Sequence, residues 1–200
     1  MKRALRIGIV VAILAAVVAG AWYLQPPQPG PAVTSMPATR SAKISPDYRG
    51  VILPPNIAPL NFVIREDGTA YHVTIRGQAG EIVEISSRRP TIEIPLASWQ
   101  QLLAANAGGE IRYEITVRDR DGRWLRYASF KNTVAREPID AYLLYRRLDP
   151  VYRCWGDISI RQRNLTSFDE SCVVWNRSSQ YDCLNCHSVC RQQPDRFAVQ

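Results

Sequence analysis

From Leu60 to Val134 apolar and polar residues alternate in short runs broken by turn residues, a pattern that only strands with one dry and one wet face satisfy. The longest run sets Ile111, Tyr113, Ile115 and Val117 on one face against Arg112, Glu114, Thr116 and Arg118 on the other. Leu60, Phe62 and Ile64 alternate in the same way, as do Tyr71, Val73 and Ile75, with Val83, Ile85, Ile92 and Ile94 following. Glu66-Asp67-Gly68 turns the chain between the first two runs, and Asp121-Gly122 predicts a hairpin whose return strand runs from Trp124 to Val134. About six strands at this spacing predict a mainly β fold, an immunoglobulin-like β-sandwich over residues 46–136. Leu96 to Ala107 breaks the alternation: Trp99, Leu102 and Leu103 share one helical face and Gly108 is placed to end it, so a helical insertion is expected. This part carries no carboxylate pair, nucleophile–base arrangement or phosphate loop, and its default role is a spacer or binding module.

The N-terminal end obeys different rules. Lys2, Arg3 and Arg6 precede a charge-free apolar run from Ile7 to Leu24. Those eighteen residues span roughly 27 Å as a helix, close to a hydrocarbon core of about 30 Å, so residues 1–24 read as a membrane anchor or signal peptide. Ala19-Gly20-Ala21 has the form of a cleavage site that would release a chain beginning at Trp22. Trp22 and Tyr23 sit where an interfacial aromatic belt ends a span, which favours an uncleaved transmembrane helix. Its basic end stays in the cytoplasm by the positive-inside rule, so the expectation is a single-pass inner-membrane protein with its folded part in the periplasm. Residues 25–45 are rich in Pro with Ala, Ser and Thr, the composition of an extended tether.

Residues 137–200 are aromatic and arginine-rich, and they contain the motif that bears on chemistry: Cys183-Leu184-Asn185-Cys186-His187. In c-type haem attachment two cysteines separated by two residues bond the two haem vinyl groups, and the adjacent histidine ligates the iron. Cys183 and Cys186 are therefore the candidate thioether residues and His187 the candidate proximal ligand. Cys190 extends the run to C-x-x-C-H-x-x-C, so zinc or part of an iron–sulfur site is the alternative, although a closed zinc site normally gathers two separated ligand pairs. A thioredoxin-like setting is not evident around the motif, and structural disulfides are the remaining reading. With two cysteines in haem, Cys154, Cys172 and Cys190 remain; Cys154 with Cys172 is the expected disulfide, since both lie in one aromatic segment while Cys190 adjoins the motif. Arg146, Arg147, Arg153, Arg161 and Arg163 are candidate partners for haem propionates. Ile139 to Arg147 reads as a short helix stopped before Pro150, and the whole segment as a small irregular haem-type unit. For a sixth iron ligand only His72 and Met36 are available; alternation turns His72 away from the core, and Met36 lies in the tether.

The net charge of +7 includes the three leader cations, and the remaining Arg and Lys are interspersed with Asp and Glu, so nucleic-acid binding is not indicated. Pro46-Asp47-Tyr48, the run PPNIAPLNF from Pro54 to Phe62, Glu137-Pro138-Ile139-Asp140, Tyr145-Arg146, Gln162-Arg163-Asn164-Leu165 and Asn185-Cys186-His187-Ser188 occur in that order. As a set they resemble the N-terminal region of bacterial cell-envelope proteins of the TolB-like or WD40-like β-propeller family. The resemblance covers most of Ser45 to Arg196 and implies a β-sandwich followed by a C-x-N-C-H segment in the cell envelope. The propeller that follows in that family has no counterpart here.

The leading expectation is a membrane-tethered periplasmic protein with one covalent haem c, serving electron transfer or haem-linked redox sensing. The alternative is a non-redox envelope binding module whose cysteines form a metal site or disulfides. An enzyme, with an open haem acting on a peroxide or binding a gas, comes third. The redox or binding partner is not specified by the sequence.

Overall fold

The computed structural model of this 200-residue chain describes residues 35–148, 157–179, 187–190 and 197–199. The chain is mainly β, with one α-helix and several sheets. The strands are β1 Met36–Pro37, β2 Ile44–Ser45, β3 Ile52–Leu53, β4 Phe62–Ile64, β5 Ala70–Gly77, β6 Ile82–Ser87 and β7 Thr91–Ile92. Helix α1, Leu96–Ala105, follows, then β8 Glu110–Arg118, β9 Trp124–Arg126, β10 Phe130–Val134, β11 Tyr142–Arg147, β12 Ser159–Asn164, β13 Glu170–Trp175, β14 His187–Val189 and β15 Phe197–Val199.

The largest sheet forms around β8, the segment with the cleanest alternation. Strand β5 pairs antiparallel along it from Ala70↔Arg118 to Gly77↔Ile111, and β6 pairs outside β5. On its other edge β8 is shared by β9 and β10, which carry β1 and β3 in parallel register. The expected return strand from Trp124 to Val134 is thus two strands. Tyr127 interrupts it by turning inward, its N–H donating to the Ile115 carbonyl at 2.9 Å. A second sheet has the order β2-β4-β7.

The inward positions named by the alternation enter one core cluster, except Leu60 and Ile85, which pack against it partly buried. Tyr71, Val73, Ile75, Ile111, Tyr113, Ile115 and Val117 meet Ile44, Phe62, Ile64 and Ile92 of the second sheet and Trp99, Leu102 and Leu103 of α1. Burial of each such side chain is worth about 1.5–3 kcal/mol relative to leaving it in water. The helix is fixed further by Trp99, whose indole N–H donates to the Ile57 carbonyl at 2.9 Å. The helix ends two residues before the expected limit. Asn106 caps it, sending Nδ2 to the Leu102 carbonyl at 2.8 Å and accepting the Ala79 N–H on Oδ1 at 3.1 Å. Gly108 follows with a φ of 80°, the left-handed conformation expected of it. Asn106 also explains Gly77: a Cβ there would lie 2.1 Å from the Asn106 amide nitrogen.

Three expectations change. The tether ends earlier than its composition implies, because β1 pairs with β9 and β2 with β4, and Ala42 and Ile44 are buried. The short helix expected over Ile139 to Arg147 is instead strand β11, paired residue for residue with β12 from Tyr142↔Asn164 to Arg147↔Ser159. A helix of two turns is marginal in water, and six cross-strand pairs outweigh the helix preference of Leu and Arg. The segment expected to be irregular therefore holds a three-stranded antiparallel sheet, β11-β12-β13.

That sheet is tied to the first part of the fold. Asn56 exchanges two hydrogen bonds with the Ile139 backbone at 2.8 and 3.0 Å, and the Ala58 N–H donates to the Leu165 carbonyl at 2.8 Å. Among the described residues no helix is long and apolar enough to cross a membrane; the apolar run from Ile7 to Leu24 lies outside them.

Candidate functional site

The C-x-x-C-H motif is described only at its last residue. His187 opens β14, whose backbone pairs with β15 in the register His187↔Val199. Cys183 and Cys186 lie outside the described residues, as do Cys154 and Arg153. Cys172 and Cys190 are exposed, and the Cys172 sulfur lies 4.0 Å from the Ile160 carbonyl oxygen. Among the described residues no group of three His, Cys, Asp or Glu side chains is placed to hold a metal ion.

The sheet leading into the motif has a definite polar face. Register places Tyr145, Arg161 and Cys172 in one row across β11, β12 and β13, and Arg147, Ser159 and Trp175 in the next. An irregularity between Ile160 and Arg161 leaves Val173 without an opposite residue and turns Cys172 to the side of Arg161. Ile160, fully buried, belongs to the other face. Sequence alone predicts that face alternation only once β11 is a strand.

Glu170 organises one end of the polar face. Its carboxylate pairs with the Arg161 guanidinium and lies 4.0 Å from Arg163. The Tyr145 hydroxyl and then Arg161 hold its carboxyl below the ordinary Glu range, and the same contact raises the Tyr145 phenol. At the other end, Arg177 of the 3-10 turn Asn176–Ser179 pairs with Asp157. Arg147, Asp157, Arg161, Trp175 and Arg177 together line a cleft of about 230 Å³. Arg147 makes no ion pair among the described residues, and Trp175 is 46% exposed. The arrangement sets one partly exposed indole beside three guanidinium groups and the Asp157 carboxylate, a site with a net positive rim able to pair with an anionic group.

Of the arginines named from sequence, Arg147 and Arg161 reach this cleft and Arg163 lies beside it at Glu170. Arg177 and Asp157 were not legible as partners, since the end of β13 and the turn after it bring them together. His72, the candidate sixth ligand, does face away from the core side of β5, but it is half-buried. Its Nδ1 lies 2.9 Å from the Ser86 hydroxyl and its Nε2 3.3 Å from the Thr74 hydroxyl. Burial lowers its proton affinity, opposed by Glu84. Met36 is an exposed residue of β1 rather than part of a tether.

No family model matches the chain, and neither the curated proteins nor the solved structures contain a significant match to it.

Proposed function

We propose that this chain is a membrane-tethered, periplasm-facing c-type haem protein used for electron transfer or haem-linked redox sensing. The observation that carries the reading is the motif Cys183-Leu184-Asn185-Cys186-His187, which puts two thiols and an imidazole within five residues. Each thiol would add across one vinyl double bond, sulfur to one carbon and hydrogen to the other, so that nothing leaves and no oxidant is consumed. His187 would be the residue that holds the iron. Bound haem contributes a one-electron iron couple, which the chain tunes through its axial ligand, burial and nearby charge. What supports the fit is that the cleft of Arg147, Arg161, Trp175 and Arg177 includes a residue of the turn Asn176–Ser179, which precedes Cys183 by four residues in the sequence. An immunoglobulin-like sandwich is the finer reading of the first part, supported by two sheets sharing one core. The leader supports an uncleaved anchor, and the resemblance to TolB-like propeller proteins favours the cell envelope.

The test is expression with a c-type maturation system. The exported chain should be red and keep its pigment through denaturing electrophoresis, and Cys183→Ala with Cys186→Ala should abolish both. A colourless chain holding stoichiometric zinc would replace this reading with the metal-site alternative.

A further inference from the structure

We propose that the outer face of the large sheet is a docking surface for an acidic, extended segment of a partner protein. Its centre is a row of three cations. Arg76 of β5 stands opposite Arg112 of β8, and Arg112 opposite Lys131 of β10. All three are exposed and turned away from the core, since their neighbours Ile75, Ile111, Tyr113 and Asn132 are buried. Like charges directly opposite one another cost stability, so folding alone does not account for such a row. Counter-charges do not complete it. Lys131 has Glu110 at 2.7 Å, and Arg76 has Glu114 at the long distance of 3.9 Å. Arg112, between them, has the Ser129 hydroxyl at 3.5 Å and no carboxylate among the described residues. The three cations and Gln78 line a groove of about 300 Å³, which gives a carboxylate side chain space to reach Arg112.

Both ends of the row are apolar. Ile82 of the edge strand β6 stands opposite Arg76 and is 51% exposed. At the other edge Ile52 of β3 is 72% exposed and stands opposite Thr133, whose partner on β8 is Glu110, so it shares this face. Neighbouring strands lie about 4.8 Å apart, which puts the two isoleucines roughly 19 Å from each other across the sheet, the reach of about six residues of extended chain. A segment with carboxylates in its middle and apolar residues at its ends matches this order, and each arginine can hold a carboxylate through two parallel hydrogen bonds. An anionic lipid surface matches it less well. A flat bilayer does not enter the groove, and Glu110 and Glu114 would repel its negative charge. The surface lies wholly on the large sheet and does not depend on the haem reading.

The probe is a fluorescent peptide of four glutamates between two isoleucines, titrated by anisotropy against the full chain carried in phosphatidylcholine nanodiscs. Arg76→Gln with Arg112→Gln should weaken binding about tenfold, the loss of two exposed ion pairs. Arg65→Gln with Arg89→Gln removes the same charge from the connections that follow β4 and β6, and should change binding by less than about twofold. Glu110→Gln releases Lys131 and should tighten binding about threefold, a gain that a misfolded chain cannot produce. A parent chain that does not bind the peptide, equal weakening in the two double variants, or no tightening with Glu110→Gln would overturn the proposal. Binding to phosphatidylglycerol vesicles that is lost with Arg76→Gln and Arg112→Gln, while the peptide stays unbound, would assign this face to a membrane surface instead.

Discussion

The two guanidinium nitrogens of Arg40 meet the two carboxylate oxygens of Glu66 at 2.6 and 2.7 Å, locking a segment of tether-like composition onto the turn before β5. The same carboxylate accepts the Lys43 N–H at 2.7 Å and the Tyr127 hydroxyl at 3.2 Å, and the guanidinium lies 5.3 Å over the Tyr127 ring. The Arg40 contact, reinforced by Lys43 and Tyr127, lowers the Glu66 carboxyl from 4.5 to about 2. A carboxyl depressed in the folded state favours folding above its unfolded range, and this contribution disappears as pH falls from about 4.5 towards 2. Glu66→Gln should therefore cost about 2 kcal/mol at pH 7 in denaturant titration, the scale of hydrogen bonds to a charged group, and nearly nothing at pH 2. Equal losses at both pH values would contradict the ionic account.

Tyr113 illustrates the opposite case. Its ring stacks on Phe130 at 4.7 Å with an 8° interplanar angle, yet its buried hydroxyl has no hydrogen-bond partner among the described residues. The Asn132 side chain is near enough to moderate the rise that burial imposes on the phenol, but its Nδ2 is likewise unsatisfied, so the contact falls short of a hydrogen bond. Tyr113→Phe keeps the stacking and removes an unpaired polar group, so stability should change by less than about 0.5 kcal/mol or increase. A loss of about 2 kcal/mol would mean that a buried water bonds this hydroxyl.

These two sites mark what the sequence could and could not reveal. Alternation named the inward face of β4, β5 and β8 residue by residue, because a period of two leaves one face for the core. It failed for Ile44 and Met36, whose strands exist through partners at Ile64 and Leu125, far along the chain. It failed for β11 as well, where local preference favours helix and only pairing with β12 overrides it. The C-x-x-C-H motif was legible because its residues are contiguous. The cleft at Trp175 was legible only in part: Arg147, Arg161 and Trp175 share a face through register, whereas Arg177 and Asp157 join it through a turn that no spacing announces.

On the proposed haem reading, His72 is expected to stay off the iron. Its two ring nitrogens already face the Ser86 and Thr74 hydroxyls, and burial holds the ring towards its neutral form. The ferrous protein should bind carbon monoxide rapidly and stoichiometrically, and His72→Ala should leave that unchanged. A low-spin spectrum that becomes high-spin only in His72→Ala would make this a bis-histidine carrier instead.

The remaining thiols give a separate expectation. In an oxidising compartment Cys154, Cys172 and Cys190 form at most one bridge within the chain, and Cys154 with Cys172 is the proposed pair. Peptide mapping without reductant should recover those two peptides joined. A bridge from Cys190 to either would refute the pairing.

Covalent haem attachment is tested most directly by the intact mass of the exported chain after denaturation, measured alongside its iron and zinc content. The account predicts the polypeptide mass plus one haem, one iron per chain, and loss of both in Cys183→Ala with Cys186→Ala. A bare polypeptide mass, with zinc in place of iron or with no metal, would contradict it.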